Sequence, residues 1–240
     1  METYREFLNR IDSFEKKSWK FVPGDFKGNP SLEKKVHSNN TFRPFYGDTV
    51  VFDLDDTTKE RLTKWLDELY AIVPECFSER LATDTLHMTL HDLCNSEEFS
   101  EIAEEVEINR KKVQSLCKEL LNFDAIKMKS KYTFNMVNTS LVLGLYPADE
   151  PEYKKLMTLY KTFNAVKNLP YPLTPHITLA YYNVHGFSDA SARRLEELVC
   201  HLNCAELELE MEIVLKGEKL YYQHFDSMNH YTNVLPVFGE

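Results

Sequence analysis

Two four-residue segments with the same pattern constrain the fold of this chain more than any other feature of its sequence. They are His87-Met88-Thr89-Leu90 and His176-Ile177-Thr178-Leu179, and each reads His, apolar, Thr, apolar. Both lie in short apolar runs typical of β-strands, in which side chains alternate between two faces. The His and Thr of one segment therefore point the same way, roughly 6–7 Å apart along the strand. The two histidines are 89 residues apart (176 − 87), which predicts one such strand in each half of the chain.

Strands and helices are predicted in a similar order around each segment. Strands are indicated by short apolar or alternating runs, and helices by apolar residues that recur every three or four positions. The predicted strands are 49–54, 85–93, 125–129, 140–146, 176–182, 206–215, 219–225 and 232–238, and the predicted helices are 2–17, 56–73, 97–121, 151–166 and 189–202. The segment Lys216-Gly217-Glu218 is typical of a hairpin turn between the strands on either side of it.

This order of elements predicts an α+β fold with two pseudo-symmetric lobes. Each lobe is expected to be an antiparallel sheet with helices packed outside, and the active cleft is expected between the two sheets. Residues 1–45 are predicted to form an N-terminal helix and loop extension, and residues 46–240 the bilobal domain.

The composition and charge of the chain exclude several classes of protein. It has 240 residues, of which 43% are hydrophobic, and this is typical of a globular protein rather than a disordered or fibrous one. The formal net charge is −10, so the chain lacks the basic surface that coats long nucleic acids. A small anionic substrate in a local pocket is compatible with this charge.

Cysteine usage and hydropathy predict the compartment. The five cysteines are odd in number and include no Cys-x-x-Cys pair, so we expect no disulfide framework and a reducing environment. The sequence contains no segment typical of a secretory signal or a membrane span. It therefore predicts a cytoplasmic protein without a membrane partner, and we expect a monomer.

The residue types in the two segments suit acid/base chemistry on an anion. A neutral imidazole accepts a proton and a protonated one donates it near neutral pH, so His87 and His176 are candidate catalysts. The hydroxyls of Thr89 and Thr178 can donate hydrogen bonds to a charged oxygen. Two such pairs facing one another would supply a base, an acid and two donors to an anion between them.

The two segments resemble the paired His-x-Thr-x motifs of the 2H phosphoesterase superfamily, which includes RNA-ligase-like cyclic phosphodiesterases. The run from Pro175 to Ala180 is especially similar to the second motif of that family. The similarity is strongest over residues 49–93 and 123–182. The segment 42–51, with its Pro, Phe and Gly before a strand, resembles a poorly characterised bacterial branch of the family.

The resemblance implies a metal-independent phosphodiesterase that needs no cofactor. Its implied substrate is a cyclic 2′,3′-type or a 2′–5′ phosphodiester in a small nucleotide or an RNA end. His87 and His176 are implied as the catalytic pair, and Thr89 and Thr178 as the phosphate-binding hydroxyls. The sequence leaves open which histidine is the acid and which is the base.

Two further residues are candidates for substrate binding because strand alternation places them on the same face as a motif. His91 follows Thr89 by two residues, and its alternative roles are support behind the site or a surface position. Tyr182 follows Thr178 by four residues and could stack a nucleobase, with simple packing as the alternative. Arg43, Lys129 and Lys131 could bring positive charge near a phosphate, although each is more often a solvated residue.

Two other functions are compatible with parts of the sequence. The first is a non-catalytic nucleotide- or phosphate-binding module with the same cleft. The second is a metallohydrolase using His87, His91 and an acidic residue such as Asp92, although no His-Glu-x-x-His motif is present. RNA ligase activity is a further possibility in the family, without independent support from the residues.

Overall fold

Eight strands and five α-helices make up the structure, a computed structural model that describes residues 2–18, 25–119, 125–208 and 210–237. The helices are α1 (Tyr4–Ser18), α2 (Asp56–Ile72), α3 (Phe99–Glu119), α4 (Glu150–Phe163) and α5 (Asp189–Glu208). The strands are β1 (Tyr46–Asp53), β2 (His87–Ser96), β3 (Ile126–Met136), β4 (Ser140–Pro147), β5 (His176–Tyr181), β6 (Glu212–Leu215), β7 (Leu220–Ser227) and β8 (His230–Pro236). Each predicted element has a counterpart, although β3 is longer and β6 shorter than predicted. The predicted positions 120–121, 209 and 238 lie outside the described residues.

All eight strands lie in one antiparallel sheet with the order β6-β3-β4-β5-β2-β1-β7-β8. The α+β class predicted from the sequence is confirmed. The structure differs from the prediction in that the motif strands β2 and β5 are neighbours in one sheet rather than members of two. A single residue pair, Met88 opposite Ile177, joins them, while β2 pairs with β1 and β5 with β4 on their other sides. The pseudo-symmetry of two lobes stays a prediction.

The hairpin predicted between β6 and β7 is wrong. β6 pairs with β3 at one end of the sheet, whereas β7 lies between β1 and β8 at the other end. The four residues 216–219, which include the short 3-10 turn Gly217–Lys219, connect the two strands. A turn-like tripeptide does not determine which strands pair, because the pairing depends on burial against distant parts of the chain.

Strand β1 and helix α2 illustrate how the core forms. Val50–Phe52 are consecutive apolar residues and all are fully buried, as expected for a strand covered on both faces. Helix α2 follows Asp55, whose carboxylate accepts a hydrogen bond from the Thr58 amide at 2.9 Å. Its buried leucines recur at helical spacing and face the sheet: Leu62, Leu66 and Leu69. Within the described ranges, no helix combines the length and apolar content needed to span a bilayer.

Helix α1 packs on the β3–β4 side of the sheet. Its buried Phe7 lies 5.1 Å, between ring centroids, from Tyr153 of α4. Arg10 donates to the Leu173 carbonyl at 2.8 Å and to the Thr174 hydroxyl at 3.0 Å. Helix α1 therefore contacts the segment that leads directly into the second motif.

Residues 25–45, which we call the strap, contact both halves of the sheet. At one end the Asn29 amide donates to the Asn138 carbonyl, in the β3–β4 turn, at 2.8 Å. At the other end the Phe45 amide donates to the Asp226 carbonyl of β7 at 2.9 Å. The predicted division into 1–45 and 46–240 stays a prediction, and the strap packs closely on the rest of the chain.

Candidate active site

The pairing of β2 with β5 brings the two motifs together. Met88 and Ile177, which face each other across the strands, are fully buried in the core. Because side chains alternate along a strand, the residues on either side of this pair point to the opposite face. That face lines a cleft, which contains the motif residues His87, Thr89, His176 and Thr178. The antiparallel register places His87 beside Thr178 and Thr89 beside His176.

The cleft has a volume of about 280 Å³, near the lower end of the range for small-molecule sites. It is bordered by both halves of the sheet and by the strap. In the described part of the chain, the hydroxyls of Thr89 and Thr178 make no hydrogen bond with other protein groups, so both are available to a ligand. The other lining residues are Lys35, Phe45, Thr49, Leu81, Thr85, Asp92, Asn95, Met136, Thr139, Ser140, Tyr171, Tyr181, Phe225, Met228 and Tyr231.

A hydrogen bond to the backbone carbonyl two residues earlier fixes both histidines in the same tautomer. The Nδ1 atom of His87 lies 2.7 Å from the Thr85 carbonyl oxygen, and that of His176 lies 2.7 Å from the Thr174 carbonyl oxygen. A carbonyl oxygen only accepts, so each Nδ1 carries the proton. The Nε2 atom of each neutral ring is therefore unprotonated and is available to take a proton from a ligand or water.

Neighbouring side chains support these two rings. Arg10 binds the Thr174 hydroxyl and the adjacent Leu173 carbonyl, and so fixes the peptide that orients His176. The ring of Tyr231 lies edge-on to His87, with centroids 4.9 Å apart and planes at 66°. The orientation of the histidines is thus determined by the fold before any ligand binds.

Burial in the cleft lowers the pKa of His87 from 6.5 to about 4, with a smaller contribution of the same sign from His176. The Thr85 carbonyl and the Asp92 carboxylate oppose this change. Burial also lowers the pKa of His176, against the opposing effects of its backbone hydrogen bond and Asp92. Both rings are therefore neutral at pH 7, and an anion bound between them would favour the protonation of one.

The predicted position of His91 on the cleft face is wrong. Across β1 and β2, Val51 pairs with Thr89 but Val50 pairs with His91. Strand β2 therefore has one extra residue between Thr89 and His91. This β-bulge reverses the alternation. His91 is only 1% exposed, its Nε2 lies 3.1 Å from the Asn164 side-chain oxygen, and Asp92 lines the cleft in its place.

The predicted position of Tyr182 is wrong for the same reason. Across β4 and β5, Val142 pairs with Thr178 but Leu141 pairs with Ala180, which is a second bulge. Tyr182 is 1% exposed and packs in the core, with its ring centroid 4.9 Å from that of Phe26. The neighbouring Tyr181 lines the cleft instead.

Asp92 and Tyr181 are cleft residues that the alternation rule missed, and each is five positions after a motif histidine. Asp92 accepts a hydrogen bond from the Tyr171 hydroxyl at 3.2 Å. The two bulges occur at the same position relative to His87 and His176, but only the strand pairing in the structure reveals them. No local pattern in either strand marks the inserted residue.

The cations considered from the sequence lie away from the cleft. Arg43 pairs with Glu97 at 3.6 Å, Lys129 with Glu210 at 2.6 Å and Lys131 with Asp12 at 2.8 Å; none of the three cations lines the cleft. Lys35 of the strap is the cleft cation that sequence reasoning missed. Among the described residues, no group of three His, Cys, Asp or Glu side chains is arranged to hold a metal ion.

Comparison with known proteins identifies similar folds at low sequence identity. No family model and no curated protein matches the sequence. The structure of ATU0111, a conserved protein of unknown function from Agrobacterium tumefaciens, is 16% identical over 88% of this chain and 94% of its own, with a TM-score of 0.65.

Other matched structures have lower TM-scores. One, described as a phosphoesterase, is 16% identical over 78% of this chain and 95% of its own, with a TM-score of 0.49. Another is E. coli LigT complexed with 3′-AMP, which is 16% identical over 80% and 96% of the two chains, with a TM-score of 0.49. The fold assignment rests on the A. tumefaciens structure, and this chain has the fold of that protein.

Proposed function

We propose that this chain is a metal-independent phosphodiesterase of the 2H type, acting on a cyclic 2′,3′-type or a 2′–5′ phosphodiester in a nucleotide or RNA end. One observation carries the proposal: both His-x-Thr-x segments face one cleft, with each histidine hydrogen-bonded through Nδ1 and free at Nε2. Two imidazoles and two hydroxyl donors can supply the base, the acid and the charge stabilisation that hydrolysis of a phosphodiester needs around one phosphorus.

The reaction follows from the placement of these groups. One neutral imidazole, either His87 or His176, takes a proton from water through Nε2 as the water oxygen bonds to phosphorus. The bond from phosphorus to the ribose oxygen breaks, and the other ring, protonated at Nε2, donates its proton to that oxygen. Thr89 and Thr178 donate to the non-bridging oxygens, where the charge is held during the transfer. Proton exchange with solvent then restores the two rings.

The active ionisation state has one ring protonated and the other neutral. The mutual repulsion of the two rings opposes double protonation, and burial opposes even a single protonation in the free enzyme. A bound phosphodiester brings one negative charge between the rings and stabilises one imidazolium. Substrate binding therefore promotes the proton distribution that the reaction needs.

The test is the loss of turnover in two single variants, His87→Ala and His176→Ala. Each should lose at least about 10²-fold in kcat because each removes an acid/base group. The substrate panel should include 2′,3′-cyclic nucleotides, 2′–5′ oligoadenylates and RNA ends with a 2′,3′-cyclic phosphate. His201→Ala, at an exposed position on α5, is the matched control and should retain wild-type activity.

Three outcomes would contradict the proposal. Turnover that persists in both variants means that the histidines are not the catalysts. Tight binding of a cyclic nucleotide by the wild type without any hydrolysis supports the non-catalytic module instead. Activity that disappears on dialysis against a chelator and returns with metal supports the metallohydrolase.

A substrate with an activated leaving group separates the roles of the two histidines. A p-nitrophenyl phosphodiester releases an anion that needs no proton, so its hydrolysis no longer requires the general acid. The variant that lacks the acid should recover activity on this ester, and the variant that lacks the base should not. Equal loss in both variants would contradict the division of roles.

A further inference from the structure

One cation in the cleft has no role in the proposed reaction. Among the described residues, Lys35 is the only lysine or arginine that lines the cleft. It follows the short 3-10 helix Pro30–Lys34 of the strap, and its backbone amide donates to the Leu32 carbonyl at 2.8 Å. The strap thus supplies a positive charge to a site whose motif residues all come from β2 and β5.

The surroundings of Lys35 hold the ammonium group without neutralising it. Its Nζ lies 5.1 Å from the ring centroid of Phe45 and 5.5 Å from that of Tyr181. These aromatic faces attract a cation but offer no carboxylate. In the described part of the chain no acidic side chain pairs with Lys35, so its N–H donors are available to a ligand.

The two ends of the cleft differ in charge. Tyr181 lies beyond Thr178 on β5, and Lys35 of the strap lies near its ring. This is the end of the cleft beside His87. Asp92 lies beyond Thr89 on β2, which is the end beside His176, and it is hydrogen-bonded to Tyr171. An anionic group that extends from the motif residues is therefore attracted toward Lys35 and repelled from Asp92.

Lys35 lies on the Tyr181 side of the cleft, at the opposite end from Asp92. Tyr181 is three residues beyond Thr178, a distance of roughly 7–10 Å along a bulged strand. The ammonium group lies within cation–π distance of the rings of Phe45 and Tyr181. A ligand that fills the cleft can therefore present one phosphate to the histidines and a second anionic group to Lys35.

We propose that Lys35, held by Phe45 and Tyr181, forms a second anion subsite, and that the substrate is a nucleotide phosphodiester carrying a further phosphate group. This inference rests on the proposed function, which places the scissile phosphate between the histidines. The strap positions the subsite through hydrogen bonds at both ends, to the Asn138 and Asp226 carbonyls. The second phosphate would distinguish the substrate from a simple cyclic mononucleotide.

Paired ligands that differ by one phosphate test the subsite. For turnover, adenosine 2′,3′-cyclic phosphate is compared with the same compound carrying a 5′-phosphate. For binding, 3′-AMP is compared with adenosine 3′,5′-bisphosphate by calorimetry, which requires no catalysis. The wild type should prefer the member with the extra phosphate by about 10–100-fold, the strength expected for a charge-assisted contact, and the preference should fall as salt is added.

Variants of two adjacent strap lysines test whether Lys35 causes the preference for the ligand with the extra phosphate. Lys35→Met should lose it, while Lys35→Arg should retain most of it because the charge remains. Lys34→Met is the matched control, since Lys34 is exposed, lies next to Lys35 and does not line the cleft. Its preference should equal that of the wild type.

The failure of this inference is distinguishable from the failure of the proposed function. Equal kcat/KM and equal affinity for the two members of each pair, or a preference that survives in Lys35→Met, overturns the subsite while phosphodiesterase activity stands. A wild type that hydrolyses neither cyclic compound nor any other member of the substrate panel overturns the proposed function, and the calorimetric pair then decides the subsite. Binding of neither calorimetric ligand overturns the subsite as well.

Discussion

Replacing His87 with glutamine should remove a specific loss of stability in acid. In the folded protein burial disfavours the protonated ring, so its pKa is about 4, whereas the unfolded chain protonates the ring near the ordinary value of 6.5. Between these two values the unfolded state binds a proton that the folded state does not. The stabilising contribution is therefore complete above pH 6.5 and is lost as the pH falls toward 4.

The size of this effect follows from the two pKa values. Each pKa unit corresponds to about 1.4 kcal/mol, so the full loss from 6.5 down to about 4 is about 3 kcal/mol. At pH 4.5 about 2.5 kcal/mol of that loss has already occurred. Glutamine fills similar space and does not titrate, so any pH-independent cost of the substitution is the same at both ends of the range.

The assay is urea denaturation of the wild type and His87→Gln at pH 7.5 and pH 4.5. Between pH 7.5 and pH 4.5 the wild type should lose about 2.5 kcal/mol more unfolding free energy than the variant. His201→Gln, at an exposed position on α5, is the matched control and should follow the wild-type curve, because its side chain stays solvated in both states.

A parallel fall in stability for the wild type and His87→Gln would refute the reasoning. That result would mean that the His87 ring is already solvated enough to be protonated in the folded protein. The cleft would then not impose the neutral state on which the proposed proton distribution depends. The experiment requires no substrate, so it tests the site before the ligand is known.

Three further predictions concern activity and packing. Because burial lowers the pKa of both motif histidines, kcat/KM should follow a bell-shaped pH profile with its maximum between about 4 and 6.5, and a maximum above pH 7 would contradict it. Gly47→Ala places a Cβ 2.3 Å from the Cys94 carbonyl oxygen and should cost on the order of 3 kcal/mol in urea denaturation, more than Gly144→Ala, whose Cβ comes no closer than 3.0 Å to a neighbour. The buried Tyr182 hydroxyl has no hydrogen-bond partner among the described residues, so Tyr182→Phe should leave the unfolding free energy unchanged or raise it, and a loss above about 1 kcal/mol in urea denaturation would count against this account.

The elements of the fold were predictable because most of them have strong periodicity. Helix α2, for example, has leucines at helical spacing after a capping Asp55, and both signals are local. Strand β3 was only partly predicted, since a register shift between Ser130 and Thr133 interrupts its alternation. Strand pairing was harder to predict from the sequence, as the incorrect β6–β7 hairpin demonstrates. Pairing depends on contacts between residues that are far apart in the sequence.

The same contrast applies to the candidate site, where local sequence patterns predicted some residues and tertiary packing placed the others. The four motif residues lie before the bulges, so simple alternation places them correctly on one face. His91 and Tyr182 lie after the bulges, and one inserted residue reverses their faces without any Gly or Pro to mark it. Lys35 is more than fifty residues before the first motif and reaches the cleft only through tertiary packing, so no spacing rule could have selected it.

The strap also has a consequence for the order in which the protein folds. It is synthesised early, yet two of its contacts lie late in the chain: the Asn40 side chain accepts from the Val184 amide across 144 residues, and the Phe45 amide donates to the Asp226 carbonyl. Loops of this length close slowly, because their chain entropy is lost before the contacts form. A nascent chain that ends near residue 180 therefore contains both motif strands but not yet the β7 edge that holds the strap. The contact between Phe45 and Asp226, at the end of the strap nearest β1, therefore forms only after β7 has been synthesised.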